Sequence, residues 1–493
     1  MPAIAHPARS GAALLAISAV LFAIPAAGHA AAVTGHTVRL TQVSSDPFTN
    51  PGSQHATEVE PDIFAFGSTI VGAYQTGRFF GGGSSDIGWA TSSDGGTSWR
   101  HGMLPGVTTH FGGGHWHRAS DPSVVYDAKY RTWMIAGLGV STQGIGLGVS
   151  VSRSTDGLHW RRPVIAYGND QKFYDKDWIT CDNHPASPHY GNCYIEADIA
   201  SNDDQVIMST SRDGGASWSA PETPSGRPTG LGGQPLVQPD GKVIIPFLGI
   251  GRIEAFSSAN GGSSWSRPSP IANTSLHFVA GNMRSGDSLP SAAMDAGGTV
   301  YIAWPACRFR AHCSANDIVL STSANGTAWS RPRRIPIDAT TSGADHFIPG
   351  IGVDPATSGR TAKIGLYYYF FPKARCSVAT CKLEVGYISS ANAGKTWSTA
   401  IRVAGPMKVS QIARTNQGNM VGDYLATAVE HGRAFSIFAV GKAPSAGREF
   451  NEAMYTAGGL PMTGGTAKAS TGPVKSPERI GPSLGTLSRT GAR

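Results

Sequence analysis

Seven short stretches of the 493-residue chain set charged or hydrogen-bonding side chains just ahead of, or inside the start of, an apolar run. They carry Glu58, Glu60 and Asp62; Arg118 and Asp121; Asp175 and Asp177; Gln234; Arg284 and Asp287; Asp345 and His346; and Asp423 with Tyr424. Gln75, Arg78 and Arg308 close other apolar runs. Acids supply general acids, general bases and oxygen ligands, arginines bind carboxylates, and histidine or tyrosine can move protons. A single aspartate in such a position usually caps a turn or bonds a strand end. A whole set of acids, arginines, a histidine and a tyrosine meeting at one mouth would be a binding or catalytic site. The elements between residues 58 and 424 must therefore bring them together.

Those elements carry a repeated turn. SSDGGTSW (92–99) returns as STDGLHW ending at Trp160, SRDGGASW at Trp218, SANGGSSW at Trp265, SANGTAW at Trp329 and SANAGKTW at Trp397. The copies stand roughly 60 residues apart, too long for helical solenoids and suited to four strands with their loops. Three apolar runs precede each turn, as in DIFAFG (62–67), TIVGAYQ (69–75) and IGWATS (87–92). The aspartate or asparagine can bond its own turn's amides, the glycines allow positive φ, and the tryptophan buries a large face. The repeat is a fold signature without a part in chemistry.

After the sixth turn come DYLATAV (423–429), AFSIFAV (434–440) and EAMYTA (452–457), three strands without a turn motif. VRLTQV (38–43) can lie beside EAMYTA as the missing fourth, which would cover an open edge. The expectation is an all-β propeller over 33–457, of seven blades, with six as the alternative.

The first 30 residues read as an export signal: Arg9, the apolar stretch 13–27 and small residues at 28–32. An extracellular protein is expected, with no membrane-spanning helix. Residues 458–493, rich in Gly, Pro, Ser, Thr and basic residues, are expected to be disordered. Within them LPMTG (460–464) matches a wall-anchor motif without the apolar segment that should follow. Six cysteines in an exported chain suggest disulfides, and short loops between apolar runs favour Cys181 with Cys193, Cys307 with Cys313 and Cys376 with Cys381. The net charge of +7 is spread among scattered arginines and the tail, so nucleic acid is not an expected partner. No cofactor or metal site is expected beyond a structural calcium ion at an oxygen-rich mouth.

Turns of this kind closing such strand triplets resemble the sialidase superfamily, also called BNR or Asp-box repeat proteins. The resemblance implies a β-propeller whose first strands begin at the site, and a sialidase-like activity. Sialidases hold a substrate carboxylate with three arginines, use a tyrosine nucleophile aided by a glutamate, and protonate the leaving group with an aspartate. By motif, Arg308 resembles the second clamp arginine, Glu60 stands where the first is expected, the third is replaced near Asp345 and His346, and Arg78 matches the arginine that ends the family's next strand. Tyr424 resembles the nucleophile, Asp423 or Asp287 its helper, and Asp86 or Asp121 the acid. Arg118, Asp62 and Asp177 join Arg78, Arg308, Glu60 and His346 as substrate-binding candidates. An acid in place of a clamp arginine would repel a sialic acid carboxylate, so another glycan is the expected substrate.

Three functions compete. The leading one is a secreted, monomeric glycosidase acting on an extracellular glycan. A uronate-directed polysaccharide lyase would use Arg78, Arg118 or Arg308 to neutralise the uronate, and His115, His117, His346 or Tyr424 as base. A noncatalytic propeller would hold a sugar or calcium ion at an acidic mouth.

Overall fold

The computed structural model describes residues 38–168, 171–445 and 447–470; the export segment and the residues beyond 470 lie outside this range. Strand β1 (Thr41–Gln42) precedes a first group of β2 (Ser53–Phe66), β3 (Thr69–Phe79), β4 (Ser84–Ser92) and β5 (Arg100–Met103). A second group is β6 (Arg118–Asp127), β7 (Thr132–Val140), β8 (Gly146–Ser154) and β9 (Val164–Gly168). A third is β10 (Tyr174–Cys181), β11 (Cys193–Ile199) and β12 (Gln205–Ser211). In the fourth, β13 (Gly230–Leu231) and β14 (Leu236–Val237) both pair with β15 (Val243–Gly249), followed by β16 (Arg252–Ser258) and β17 (Ser269–Asn273).

The fifth group is β18 (Ser291–Met294), β19 (Val300–Ala306), β20 (Asp317–Ser323) and β21 (Arg333–Arg334). The sixth is β22 (Asp345–Val353), β23 (Ile364–Phe371) and β24 (Lys382–Ser390), then, past the short β25 (Thr396–Trp397), β26 (Ile401–Lys408). A small hairpin, β27 (Ala413–Thr415) and β28 (Gly418–Met420), leads to β29 (Ala428–Glu430), β30 (Arg433–Phe435), β31 (Ile437–Gly441) and β32 (Glu452–Thr456). Last come β33 (Leu460–Pro461) and β34 (Ala467–Lys468). Apart from four 3-10 turns, the regular structure is all β, and no helix among the described residues is long and apolar enough to cross a membrane.

Within each group successive strands pair antiparallel, as short connections require. The strands read as near-continuous buried runs, such as the fully buried IGLYYYFF of β23, because neighbouring groups cover both faces. The N-terminal strand lies where the sequence suggested: Thr41 pairs with Thr456 and Gln42 with Tyr455. Ser44 then ties the two chain ends, accepting a bond from the Met454 amide (2.8 Å) and donating to Glu58 (2.6 Å).

The six repeated turns share one hydrogen-bond pattern. In each, the leading serine hydroxyl donates to the Asp or Asn side-chain oxygen, as Ser92 does to Asp94 (2.8 Å) and Ser390 to Asn392 (3.0 Å). That oxygen accepts amides from the end of the turn, such as Ser98 to Asp94 (2.9 Å). The turn's last tryptophan packs inward, fully so at Trp397 and only partly at Trp329.

All three expected disulfides are formed. Cys307–Cys313 and Cys376–Cys381 bracket the β19–β20 and β23–β24 loops, whereas Cys181–Cys193 closes the β10–β11 hairpin at the end of β10 away from Lys176. The expected disordered tail differs over 458–470. There β33 pairs with β30, β34 pairs with β25, and the Tyr387 hydroxyl donates to the Pro461 carbonyl (3.0 Å). Leu460 and Met462 are buried in the adjoining core, so the apolar residues of LPMTG serve packing, which a composition average over the tail conceals.

Trp397→Ala should cost about 3–5 kcal/mol in urea unfolding, and Trp329→Ala distinctly less. Removing residues 38–44 should lower the melting temperature and promote aggregation by uncovering β32, which light scattering on heating will register.

Candidate functional site

The first strands share a local irregularity that aims side chains at one place. Glu60 (φ 60°) in β2, Asp121 (φ 48°) in β6 and Lys176 (φ 51°) in β10 are left-handed. At each the strand slips register against its neighbour, between Val59 and Asp62, Ser120 and Ser123, and Asp175 and Trp178. Such bulges bend a strand and redirect a side chain, and a non-glycine residue there costs about 1–3 kcal/mol that its surroundings must offset. Asp287 (φ 49°) ahead of β18 and Ile348 (φ 48°) in β22 repeat the conformation.

The surroundings that offset it are ionic. The Lys176 ammonium meets Glu60 (3.3 Å), Asp121 (3.2 Å) and Asp423, and so joins β2, β6, β10 and the segment before β29. Arg284 grips the same Asp423 with two bonds, its Nε at 2.6 Å from Oδ1 and its terminal nitrogen on Oδ2. Gln75 donates to Glu60 and to the Ser120 hydroxyl (3.0 Å), and Arg78 donates to Gln75 (3.1 Å) and to the Gly83 carbonyl (2.8 Å). Asp423 reaches this floor because Gly422 lets the chain run against β2, where the Glu60 amide donates to Val421 (2.9 Å); a Cβ on Gly422 would meet Glu60 Cα at 2.9 Å.

The charges are unequal in mood. Burial, the Asp121 and Asp423 charges raising and Lys176 lowering, leaves Glu60 pushed up to about 7. Asp423 is buried too, yet Arg284 and Lys176 hold it well below the usual carboxylate range. Burial opposes the Lys176 charge, but Asp121, Asp423 and Glu60 outweigh it and keep the ammonium charged. Burial lowers Arg78 to about 10. Asp175, raised to about 6 by burial and then by Asp121, and Asp287, raised by burial and then by Asp423, are half-buried carboxyls facing Arg284 and Lys176.

Of the residues singled out from sequence, Glu60, Asp121, Asp423 and Arg78 meet in this floor, and Asp287 borders it. Tyr424 packs beneath: its hydroxyl donates to the Pro122 carbonyl (3.1 Å) and its ring stands edge-on to Trp178 (5.0 Å). Asp62 accepts the Val124 amide (2.6 Å), and Asp86 is fully buried on β4, accepting the Ile87 amide (2.8 Å). Asp177 is buried without a hydrogen-bond partner. Arg118 lies over the Phe79 ring (4.1 Å) and donates to the Gly82 carbonyl (3.0 Å), and Arg308 reaches the Asn273 carbonyl (3.4 Å), so neither bonds the floor.

His346 belongs to a second network, where Arg310 and Arg334 bind Asp317 and Asp338 and the imidazole is 3.8 Å from Asp338. Asp317, Asp338 and His346 are close enough together to hold a metal ion, but the two arginines already neutralise the carboxylates. His117 packs between Phe79 and His110, and His115 is exposed against Trp116. Lys176 was not singled out. Its signal was positional: it stands inside a first strand two residues before Trp178, as Glu60 stands before Asp62 and Asp121 before Ser123.

No family model and no curated protein matches this chain. Among solved structures, a protein of unknown function from Dyadobacter fermentans aligns with 72% of this chain and 99% of its own at 14% identity, with a TM-score of 0.47. A Hadza microbial sialidase aligns with 78% of this chain and 75% of its own at 14% identity and a TM-score of 0.45. An ulvan lyase, a polysaccharide lyase, aligns with 84% and 95% at 11% identity and a TM-score of 0.48. At such distances the function has to be argued from the site.

Lys176→Met should destabilise the protein by about 3–5 kcal/mol, since it leaves three buried acids short of a cation. Adding Glu60→Gln to that variant should recover part of the loss in urea unfolding. Glu58, bonded to Ser44 where the two chain ends meet, is pushed up to about 8 by burial, so its contribution to stability falls as pH rises from 4.5 through 8. Glu58→Gln should flatten the stability profile in that window.

Proposed function

We propose that the chain is an exported, carbohydrate-active propeller of seven blades, sialidase-like in plan, that hydrolyses a glycan bound where its first strands begin. The observation that carries this reading is the convergence of charged groups from several strand groups on one floor, flanked by Asp175 and Asp287. Carboxyls raised by burial keep a proton nearer neutrality and can protonate a leaving group, while an ionised partner activates water. Asp287 keeps the catalytic role expected of it, Asp175 joins it, and Glu60, Asp121 and Asp423 set the field around them. Phe80, Phe111 and Phe278 are exposed on loops next to first-strand starts, offering apolar faces on which sugar rings can stack.

The arginines argue against a carboxylate-bearing sugar. Arg284 is held by Asp423, Arg78 by Gln75 and Gly83, and Glu60 contributes an acid where a clamp cation is expected. A neutral or amino-bearing glycan fits better. The lyase reading is favoured by one group, Arg308, whose half-buried guanidinium has only a long bond to a carbonyl and could neutralise a uronate.

Reducing sugar should appear when the protein is incubated with a panel of plant, microbial and animal glycans. Asp287→Asn and Asp175→Asn should each lower the rate by about 10²-fold or more. A fluorogenic sialoside should remain intact. An ultraviolet-absorbing unsaturated uronate would transfer the assignment to a lyase, and binding without turnover would make the protein a lectin.

A further inference from the structure

Hydrolysis needs a group that attacks the sugar, and the floor offers none. Tyr424 is 8% exposed with its hydroxyl on the Pro122 carbonyl (3.1 Å), and both Asp423 oxygens are engaged by Arg284 and Lys176. A covalent intermediate on either residue is therefore closed, and water has to attack the sugar directly. Asp175 and Asp287, which burial favours in the protonated form, suit the acid rather than the attacking role. Water then needs a base with a free lone pair held in a fixed direction.

A histidine at the mouth meets that need. His277 lies between β17 and β18, one residue before the exposed Phe278, and its side chain is 23% exposed. Its Nδ1 is 2.9 Å from Oδ2 of Asp345, a fully buried carboxylate at the start of β22, whose Oδ1 accepts the Asn316 amide (2.7 Å). Asn316, also fully buried, grips the His277 backbone twice: its side-chain oxygen accepts the His277 amide (2.8 Å) and its side-chain nitrogen donates to the His277 carbonyl (2.7 Å). A carboxylate only accepts, so the imidazole proton is on Nδ1 and Nε2 presents its lone pair. That nitrogen has no hydrogen-bond partner among the described residues. Asp345 stands three residues ahead of Ile348, the left-handed position of β22, as Arg118 stands ahead of Asp121 and Arg284 ahead of Asp287. The pair thus belongs to the wall of the mouth. The Cys307 amide donates to the Ser275 carbonyl (2.9 Å), which ties the His277 segment to the loop stapled by Cys307–Cys313.

We propose that His277, oriented by Asp345 and Asn316, is the general base that activates water, and that the reaction inverts the anomeric configuration of the sugar. The proposal rests on the hydrolase reading, with Asp287 as the acid. Nε2 takes a proton from water as the water oxygen bonds the anomeric carbon. The glycosidic C–O bond breaks on the opposite face, and its oxygen takes the proton that Asp287 holds. The imidazolium then returns its proton to solvent and Asp287 regains one, which restores both groups. The charged groups around His277 are Asp345 from β22 and, on the neighbouring loop, Arg308, which reaches the Asn273 carbonyl (3.4 Å). His346 lies behind Asn316, with its Nδ1 3.1 Å from the Asn316 carbonyl.

The test uses the full chain and the member of the plant, microbial and animal glycan panel that it cleaves fastest. Proton NMR of the fresh product should show the inverted anomer. His277→Ala should lower kcat by about 10²-fold or more with little change in KM. Azide, an anion that needs no base, should restore turnover of that variant by forming a glycosyl azide of inverted configuration, whereas a side chain that only shaped the loop would not be replaced by azide. Asp345→Asn keeps the shape of the buried group but turns an amide N–H toward Nδ1. Nitrogen NMR should then find the His277 proton moved to Nε2, with kcat lowered about as far and the melting temperature little changed. Retention of configuration, wild-type rates in both variants, or a His277→Ala protein that azide does not revive overturns the inference and leaves the hydrolase reading standing. Absence of turnover by the wild type on every glycan removes both.

Discussion

The ammonium of Lys176 sits among the carboxylates of Glu60, Asp121 and Asp423, and the rest of the architecture answers to that contact. Each acid comes from a different strand group, so the ion cluster joins sheets that are distant in sequence. A buried cation surrounded by acids is stable only when geometry is good and every remaining oxygen is bonded. Gln75, Ser120, Arg78 and Arg284 complete that set. The left-handed bulges at Glu60, Asp121 and Lys176 are the local cost of aiming these side chains inward, and the ion pairs hold them there.

That same contact limits what the floor can do. Asp423, held below the usual carboxylate range by Arg284 and Lys176, is a field source rather than a proton carrier, and Tyr424 spends its hydroxyl on the Pro122 carbonyl. Reactive capacity on the proposed function therefore moves outward to Asp175 and Asp287, which remain half-buried. Both feel Arg284 and Lys176, so the ionic floor would set the protonation of the groups above it.

The third strand group bears an unusual charge load, with Asp175, Asp177, Glu196 and Asp198 served by one lysine. Interior apolar packing cannot relieve such a load, because the hydration lost by each carboxylate exceeds what dispersion contacts return. The disulfide Cys181–Cys193 and the Asp182–Ser187 loop fasten the other end of the same hairpin.

Local rules were enough for the turns, the strand triplets, the pairing of 38–43 with 452–457 and the three disulfides. Each depends on side chains near in sequence or on an uncovered edge that only one remaining segment could fill. The convergence of Glu60, Asp121, Asp423 and Arg78 was legible as well, because first-strand starts and second-strand ends share one end of each sheet. What only the tertiary structure decided was the charge balance there. Lys176 lies between two aspartates in sequence and looks like a solvated strand-end cation, yet a single bulge turns it toward acids 55, 116 and 247 residues away. Likewise Asp86, Arg118, Arg308 and His346 carry suitable chemistry, but strand register and neighbouring loops bond them elsewhere. Residue type is written along the chain, whereas the direction of a side chain at a bulge, and the partner that then neutralises it, depend on the packing of whole sheets.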